Sequence, residues 1–233
     1  MNLSVILPTF NEDENIKNFI KSIQKTDKNI EIIAVDNKSQ DNTKNEIKKT
    51  TAKYVYCNNQ GYGIAIKTGL NKATRKYLAI CEPDGTFQAK DIKKLFTYLK
   101  KYDAVFGTRT NINFIRKFAK MNYSLRMGNI LFAKIIQILF KTSSISDVGC
   151  SLKIFKKSDY LKIKKNLIVN KSEFQPELMI NLFLLNCRIV EIPVIYQKRV
   201  GYSKITSNLY KTSLLAIKMF FLIIKLRLLS LLK

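Results

Sequence analysis

The stretch YLAICEPDGTF, residues 77–87, begins as an apolar run and ends in two acids one residue apart. Tyr77 to Cys81 has the length and composition of a buried strand. Glu82, Pro83 and Asp84 stop it, and Gly85 turns the chain away. Two carboxylates leaving a strand, stiffened by a proline, can converge on a divalent cation. Pro-Asp and Asp-Gly are also ordinary turn residues, so the neighbouring elements must decide between the two readings.

Upstream, LSVIL (3–7) reads as a strand. Ile16, Phe19, Ile20 and Ile23 then recur at helical spacing. Asn11 with Glu14 three residues later resembles a capping pair, which predicts that this helix begins near Asn11. IEIIAV (30–35) is a second strand, followed by the polar turn DNKSQDNT and a helix. YVYC (54–57) is a third, followed by the glycine loop NNQGYG and a helix over 64–74. After the 77–81 strand, Ile92, Leu95, Phe96 and Leu99 mark another helix, and DAVFG (103–107) is a fifth strand. Strands alternating with helices predict an α/β fold with a mostly parallel sheet. Ligands of such sheets bind beyond the carboxyl ends of the strands. Residues 8–12, 36–39, 82–84 and Arg109 are therefore expected on one rim.

The second half changes character. Residues 112–141 mix apolar and basic residues; CSLKIF (150–155) suggests a strand. PELMINLFLL suggests a helix with Pro176 in its first turn, where proline is tolerated. RIVEIPVIY (188–196) suggests a strand whose Pro193 argues for a sheet edge or a bulge. No repeat or low-complexity linker divides the chain. The expected organisation is one domain over 1–207 followed by a basic amphipathic helix over 208–233.

Composition narrows the partners. The chain has 233 residues, 41 Lys plus Arg against 17 acids and a net charge of +24, which predicts anionic partners. The four cysteines are far apart and fit no zinc spacing, which predicts buried thiols in a reducing compartment. The first residues run straight into a strand, so no secretory leader is expected. There is no histidine, so acid–base chemistry must use other groups or the substrate must need no base. The tail, residues 209–232, is apolar but interrupted by Lys211, Lys218 and Lys225, which with Lys204 are spaced by seven. A lysine stripe beside a wide apolar face suits a helix lying in a membrane interface better than one crossing it. The other expectation for such a helix is packing on the domain core or on a membrane partner.

LPTFNEDENI, VDNKSQDNT, EPDGTF, FGTRT, SDVGCSLKIFKKS and EIPVIYQKRVGYSKI occur in that order. Together they resemble family 2 glycosyltransferases of the GT-A (Rossmann-like) fold, in particular the dolichol- and polyprenol-phosphate sugar transferases. The resemblance implies that Pro8, Phe10 and Glu12 touch the nucleotide and that Val35, Asp36 and Asn37 frame the base; the family usually has aspartate where Asn37 stands. It implies that Glu82, Pro83 and Asp84 take the place of an Asp-Ala-Asp, with Glu82 and Asp84 holding Mg²⁺ or Mn²⁺ and the donor diphosphate, and Thr86 beside them. Arg109, Arg199 and Lys204 would cradle phosphates, with Arg126, near Arg116 or Lys120, facing the acceptor phosphate. Asp84 and Arg109 are the catalytic candidates.

The implied reaction is inverting transfer of a hexose from a nucleotide-diphosphate sugar to a polyprenyl (dolichyl or undecaprenyl) phosphate. The implied place is peripheral, on the cytoplasmic face of an anionic membrane. Family members without spanning helices can depend on a small membrane partner subunit. A lipid phosphate is already an anion and needs no general base, which agrees with a chain lacking histidine. Transfer to a glycolipid or polysaccharide hydroxyl would need a base, for which Asp147 is the candidate. A catalytically degenerate membrane scaffold is a third reading. Nucleic acid is not an expected partner, because no zinc spacing, RNA-recognition motif or basic recognition helix accompanies the charge.

Overall fold

The computed structural model describes residues 1–117, 119, 121–201 and 209–232. In the first half, strands and helices alternate: β1 (Leu3–Thr9), α1 (Ile16–Thr26), β2 (Glu31–Asp36), α2 (Thr43–Lys48), β3 (Lys53–Tyr56), α3 (Tyr62–Lys72), β4 (Tyr77–Ile80) and α4 (Ala89–Tyr98). The second half contributes β5 (Ala104–Thr108), α5 (Tyr123–Phe140), β6 (Lys153–Lys156), α6 (Lys157–Ile163), α7 (Phe174–Leu184), β7 (Ile189–Pro193) and α8 (Leu209–Leu231). The seven strands form one sheet in the order β3-β2-β1-β4-β6-β5-β7. β6 runs antiparallel to β4 and β5, and every other pairing is parallel. Pro193 ends the edge strand β7, where its missing N–H costs no ladder bond.

The two-residue period of the strands divides the core. Leu3, Val5 and Leu7 face α1, α2 and α4, whereas Ile6 faces the layer holding α3, α5, α7 and α8. The helical spacing at Ile16, Phe19, Ile20 and Ile23 is all buried face. The helix nevertheless starts at Ile16, not near Asn11. Asn11 sits in the left-handed region at φ 54°, and its side-chain oxygen accepts from the Gln40 N–H. A tertiary hydrogen bond has taken the group that a cap would have used.

α8 is apolar on two sides. Met219, Ile223 and Leu226 are buried in the core shared with α5 and α7. Leu214, Ile217, Phe221 and Leu228 are exposed, as are Lys211, Lys218 and Lys225. The packed arrangement thus holds for one face, and a second apolar face with lysines beside it remains uncovered. No helix among the described residues is long and apolar enough to cross a membrane.

Helix α3 lies close against β1 and β2 through Gly69. A methyl group there would stand 2.5 Å from Ile6 Cγ2 and 2.9 Å from Val35 Cγ2, both fully buried. Gly69→Ala should therefore lower stability by about 1–3 kcal/mol despite its better helix propensity. A urea denaturation midpoint equal to wild type would show that the helix can lift off the sheet at little cost.

Candidate active site

The loops after β1 and β2 are bonded to each other. Asn11 N donates to Ser39 Oγ at 3.0 Å, Glu12 N to Thr43 Oγ1 at 2.8 Å and Asn37 N to Thr9 O at 2.8 Å. Asp36 accepts from Ser39 N and from the Tyr54 hydroxyl, each at 2.9 Å. Burial, then the Asp36 carboxylate, push the Tyr54 phenol up to about 12. The Asn37 amide donates to Asn59 O at 2.8 Å and accepts from Gly61 N at 2.7 Å. Asn37 therefore pins the loop between β3 and α3. Phe10 and Glu12 are partly exposed at the rim. Pro8 is buried within β1, and the Val35 side chain is fully buried under α3, so the expectation that Val35 frames a base does not hold for its side chain.

The acidic corner after β4 is held by its own turn. Gly85 has φ +81°, a conformation that favours glycine. Thr86 donates to Asp84 Oδ1 through its N–H at 3.0 Å and its hydroxyl at 2.6 Å. Asn15 Nδ2 donates to Pro83 O at 2.7 Å. From the far end of the chain, Val200 N donates to Asp84 O at 2.8 Å and Gln197 N to Thr86 O at 3.0 Å. These bonds strap residues 197–200 across the corner. Arg199 Nη1 then lies 2.9 Å from Asp84 Oδ2 and 3.7 Å from Glu82 Oε2, while Nη2 lies 3.2 Å from Glu12 Oε1. Glu82 and Asp84 thus converge on one point, and that point holds a positive charge.

Burial, then the Asp84 charge, raise the Glu82 carboxyl above the usual glutamate range, with Arg199 opposing. Burial and the Glu82 charge likewise raise the Tyr62 phenol, whose oxygen accepts from Gln175 Nε2 at 2.8 Å. Tyr62 and Gln175 therefore belong to this wall of the site, a role sequence reasoning missed. The glycine loop before Tyr62 was visible, but no periodicity links two residues 113 positions apart.

Arg109 is placed differently from expectation. Its Nε and Nη2 donate to the two oxygens of Asp147 at 2.9 Å each, and its N–H to the same carboxylate at 2.8 Å. Its guanidinium stacks 5.3 Å from the Tyr196 ring, which in turn packs on Phe87. Burial pushes Asp147 up, but the Arg109 charge and hydrogen bonds outweigh it and hold the carboxyl below the usual aspartate range. Asp147 also accepts from Gly149 N and is fully buried, so it is not placed to act as a base for a hydroxyl acceptor. Nearby, burial lowers the Lys153 ammonium to about 8 although Asp147 is close. Arg126 stacks on Tyr123 in the first turn of α5, and no described contact joins it to the acidic corner. Lys204 and Lys120 lie outside the described residues.

The corner fits a divalent cation in one specific way. No group of three or more His, Cys, Asp or Glu is arranged to hold a metal among the described residues. Glu82 and Asp84 supply two oxygens that already meet at a cation, which suits an ion whose other ligands are substrate phosphates and water.

Comparison with known proteins agrees with this architecture. The family model "Glycosyl transferase family 2" matches residues 4–163. A dolichyl-phosphate hexose transferase of Haloferax volcanii is 26% identical over 206 residues, covering 87% of this chain and 86% of that protein. A dolichyl-phosphate beta-glucosyltransferase of Dictyostelium discoideum is 26% identical over 82% of this chain and 65% of its own length. Among solved structures, glucosyl-3-phosphoglycerate synthase from Mycobacterium tuberculosis, in complex with Mn²⁺, UDP and glucosyl-3-phosphoglycerate, superposes with a TM-score of 0.71. It is 16% identical, over 94% of this chain and 77% of that one. The chain belongs to glycosyl transferase family 2. It is a glycosyltransferase of GT-A fold, similar to the dolichol-phosphate sugar transferases.

The Arg109–Asp147 pair generates a stability expectation. Asp147→Asn leaves a buried guanidinium uncompensated and should cost about 3–5 kcal/mol. The folded carboxyl titrates below its ordinary value, so its contribution is complete above about pH 4 and is lost as pH falls through the folded value. Denaturation curves of the two proteins should differ at pH 7 and converge in strong acid; equal stability at pH 7 contradicts the pairing.

Proposed function

We propose that this chain transfers a hexose, with inversion, from a nucleotide-diphosphate sugar to a polyprenyl phosphate at a membrane surface, using Mg²⁺ or Mn²⁺. The observation that carries the proposal is the convergence of Glu82 and Asp84 on a single cationic atom at the end of β4. When bound there together with the donor phosphates, the ion would offset charge developing on the leaving diphosphate. The remaining work falls to the chain. The loops carrying Phe10, Glu12, Asp36 and Asn37 would seat the nucleoside, and Arg199, Arg126 and Lys204 would meet phosphates of donor or acceptor. A phosphate oxygen of the acceptor forms the new bond to the anomeric carbon as the bond to the diphosphate oxygen breaks. The acceptor has no proton to lose, and Asp147 is occupied by Arg109, so the phosphate acceptor fits better than a hydroxyl.

Membrane association is supported by the uncovered face of α8. Leu214, Ile217, Phe221 and Leu228 lie outward, with Lys211, Lys218 and Lys225 positioned to meet anionic head groups. The relatives named for dolichyl phosphate point to the same kind of acceptor.

Asp84→Ala should lower metal-dependent transfer by about 100-fold or more while leaving the thermal melt cooperative. Full activity without this carboxylate would refute the metal assignment. Melting curves with UDP-, GDP- and CDP-sugars, with and without Mn²⁺, identify the donor, and a metal-dependent rise with one of them is expected. Ile217→Glu together with Phe221→Glu should release the protein from phosphatidylglycerol vesicles in a sedimentation assay. Undiminished binding would rule out this face as the contact.

A further inference from the structure

We propose that Arg199 is the resident counter-ion of the acidic corner and must leave it before a divalent cation binds, so that metal and nucleotide diphosphate bind cooperatively. The inference rests on the proposed function, because it concerns how the same corner is filled.

The geometry makes the two cations mutually exclusive. Arg199 Nη1 lies 2.9 Å from Asp84 Oδ2 and 3.7 Å from Glu82 Oε2. A metal ion bound by both oxygens at about 2.0–2.2 Å would occupy the space that this nitrogen fills. The guanidinium is held as a guest: Arg199 Nε is buried with no hydrogen-bond partner among the described residues.

The backbone of the strap is fixed independently of that side chain. Val200 N and Gln197 N bond the corner's carbonyls, and a methyl group at Gly85 would stand 2.9 Å from Val200 Cγ2. The arginine can therefore change rotamer while its Cα stays beside the site. A metal ion alone would have to push a half-buried guanidinium away from its carboxylate partners. A metal ion arriving with a diphosphate supplies the displaced guanidinium with phosphate oxygens, which it can bind in bidentate fashion. The two ligands then favour each other's binding, and by linkage the coupling is reciprocal.

The test is Mn²⁺ binding to the full chain, followed by the electron paramagnetic resonance signal of the free ion, with and without UDP or GDP. In wild type, the nucleotide should tighten Mn²⁺ binding at least tenfold. Arg199→Gln should bind Mn²⁺ alone at least tenfold more tightly than wild type and gain less from the nucleotide than wild type does, because the coupling that remains comes from the phosphate oxygens that ligate the ion. Arg199→Lys, which keeps the charge, should restore part of the coupling and controls for a packing effect. Thermal melts check that both variants are folded. If Arg199→Gln binds Mn²⁺ alone no better than wild type, or gains as much from the nucleotide as wild type does, the exclusion is wrong while the proposed function stands. If no Mn²⁺ binds to wild type or variant with either nucleotide, the metal reading of the corner falls with it.

Discussion

Two carboxylates whose oxygens lie within 4 Å of the same nitrogen repel one another, and the structure around the end of β4 is organised to withstand that repulsion. A glycine in the left-handed region aims the loop, a threonine satisfies one oxygen of Asp84, and an asparagine from the start of α1 fixes the intervening proline carbonyl. Residues 197–200 close over the corner and bring a guanidinium with them. Each device comes from a different part of the chain. The corner therefore exists only when the sheet, α1 and the segment after β7 are all in place.

The Arg109–Asp147 pair does for the second half of the fold what the strap does for the first. Asp147 follows a long excursion through α5, and its carboxylate collects Arg109 from the end of β5. Glu191 of β7 accepts from the N–H groups of Ser146 and Asp147, which joins the same loop to the edge strand. Buried ionic groups of this kind contribute little net stability when intact and cost much when half removed. Here they set the register between an irregular loop and two strands, with the Tyr196 ring linking this network to the wall beside Phe87.

Much of this was legible from the chain. The alternation of apolar runs with helical periodicities located the strands of the first half, and a parallel sheet places the loops that follow them on one edge. That is why Glu12, Asp36, Asn37 and Asp84 could be grouped before any coordinates. The direction of β6 was not legible, because orientation depends on how the chain returns from residues 109–150 rather than on the four residues of the strand. Side-chain partners were the least accessible. Arg199 meets Glu12 across 187 positions, and the Asn11 cap was lost to a backbone N–H of the next loop. Local pattern cannot choose between a solvated arginine and one that serves a distant acid.

The antiparallel insertion of β6 also bears on how the molecule is assembled. β4 pairs with β1 on one side soon after it is made, but its other side waits for Lys153–Lys156, and β5 waits for the same four residues and for β7. Pairings so distant along the chain form slowly, since a long loop must close before they contribute. During synthesis the open edge of β4, already carrying the apolar run that ends in the acidic corner, is a surface on which a nascent chain is exposed to mispairing with its neighbours.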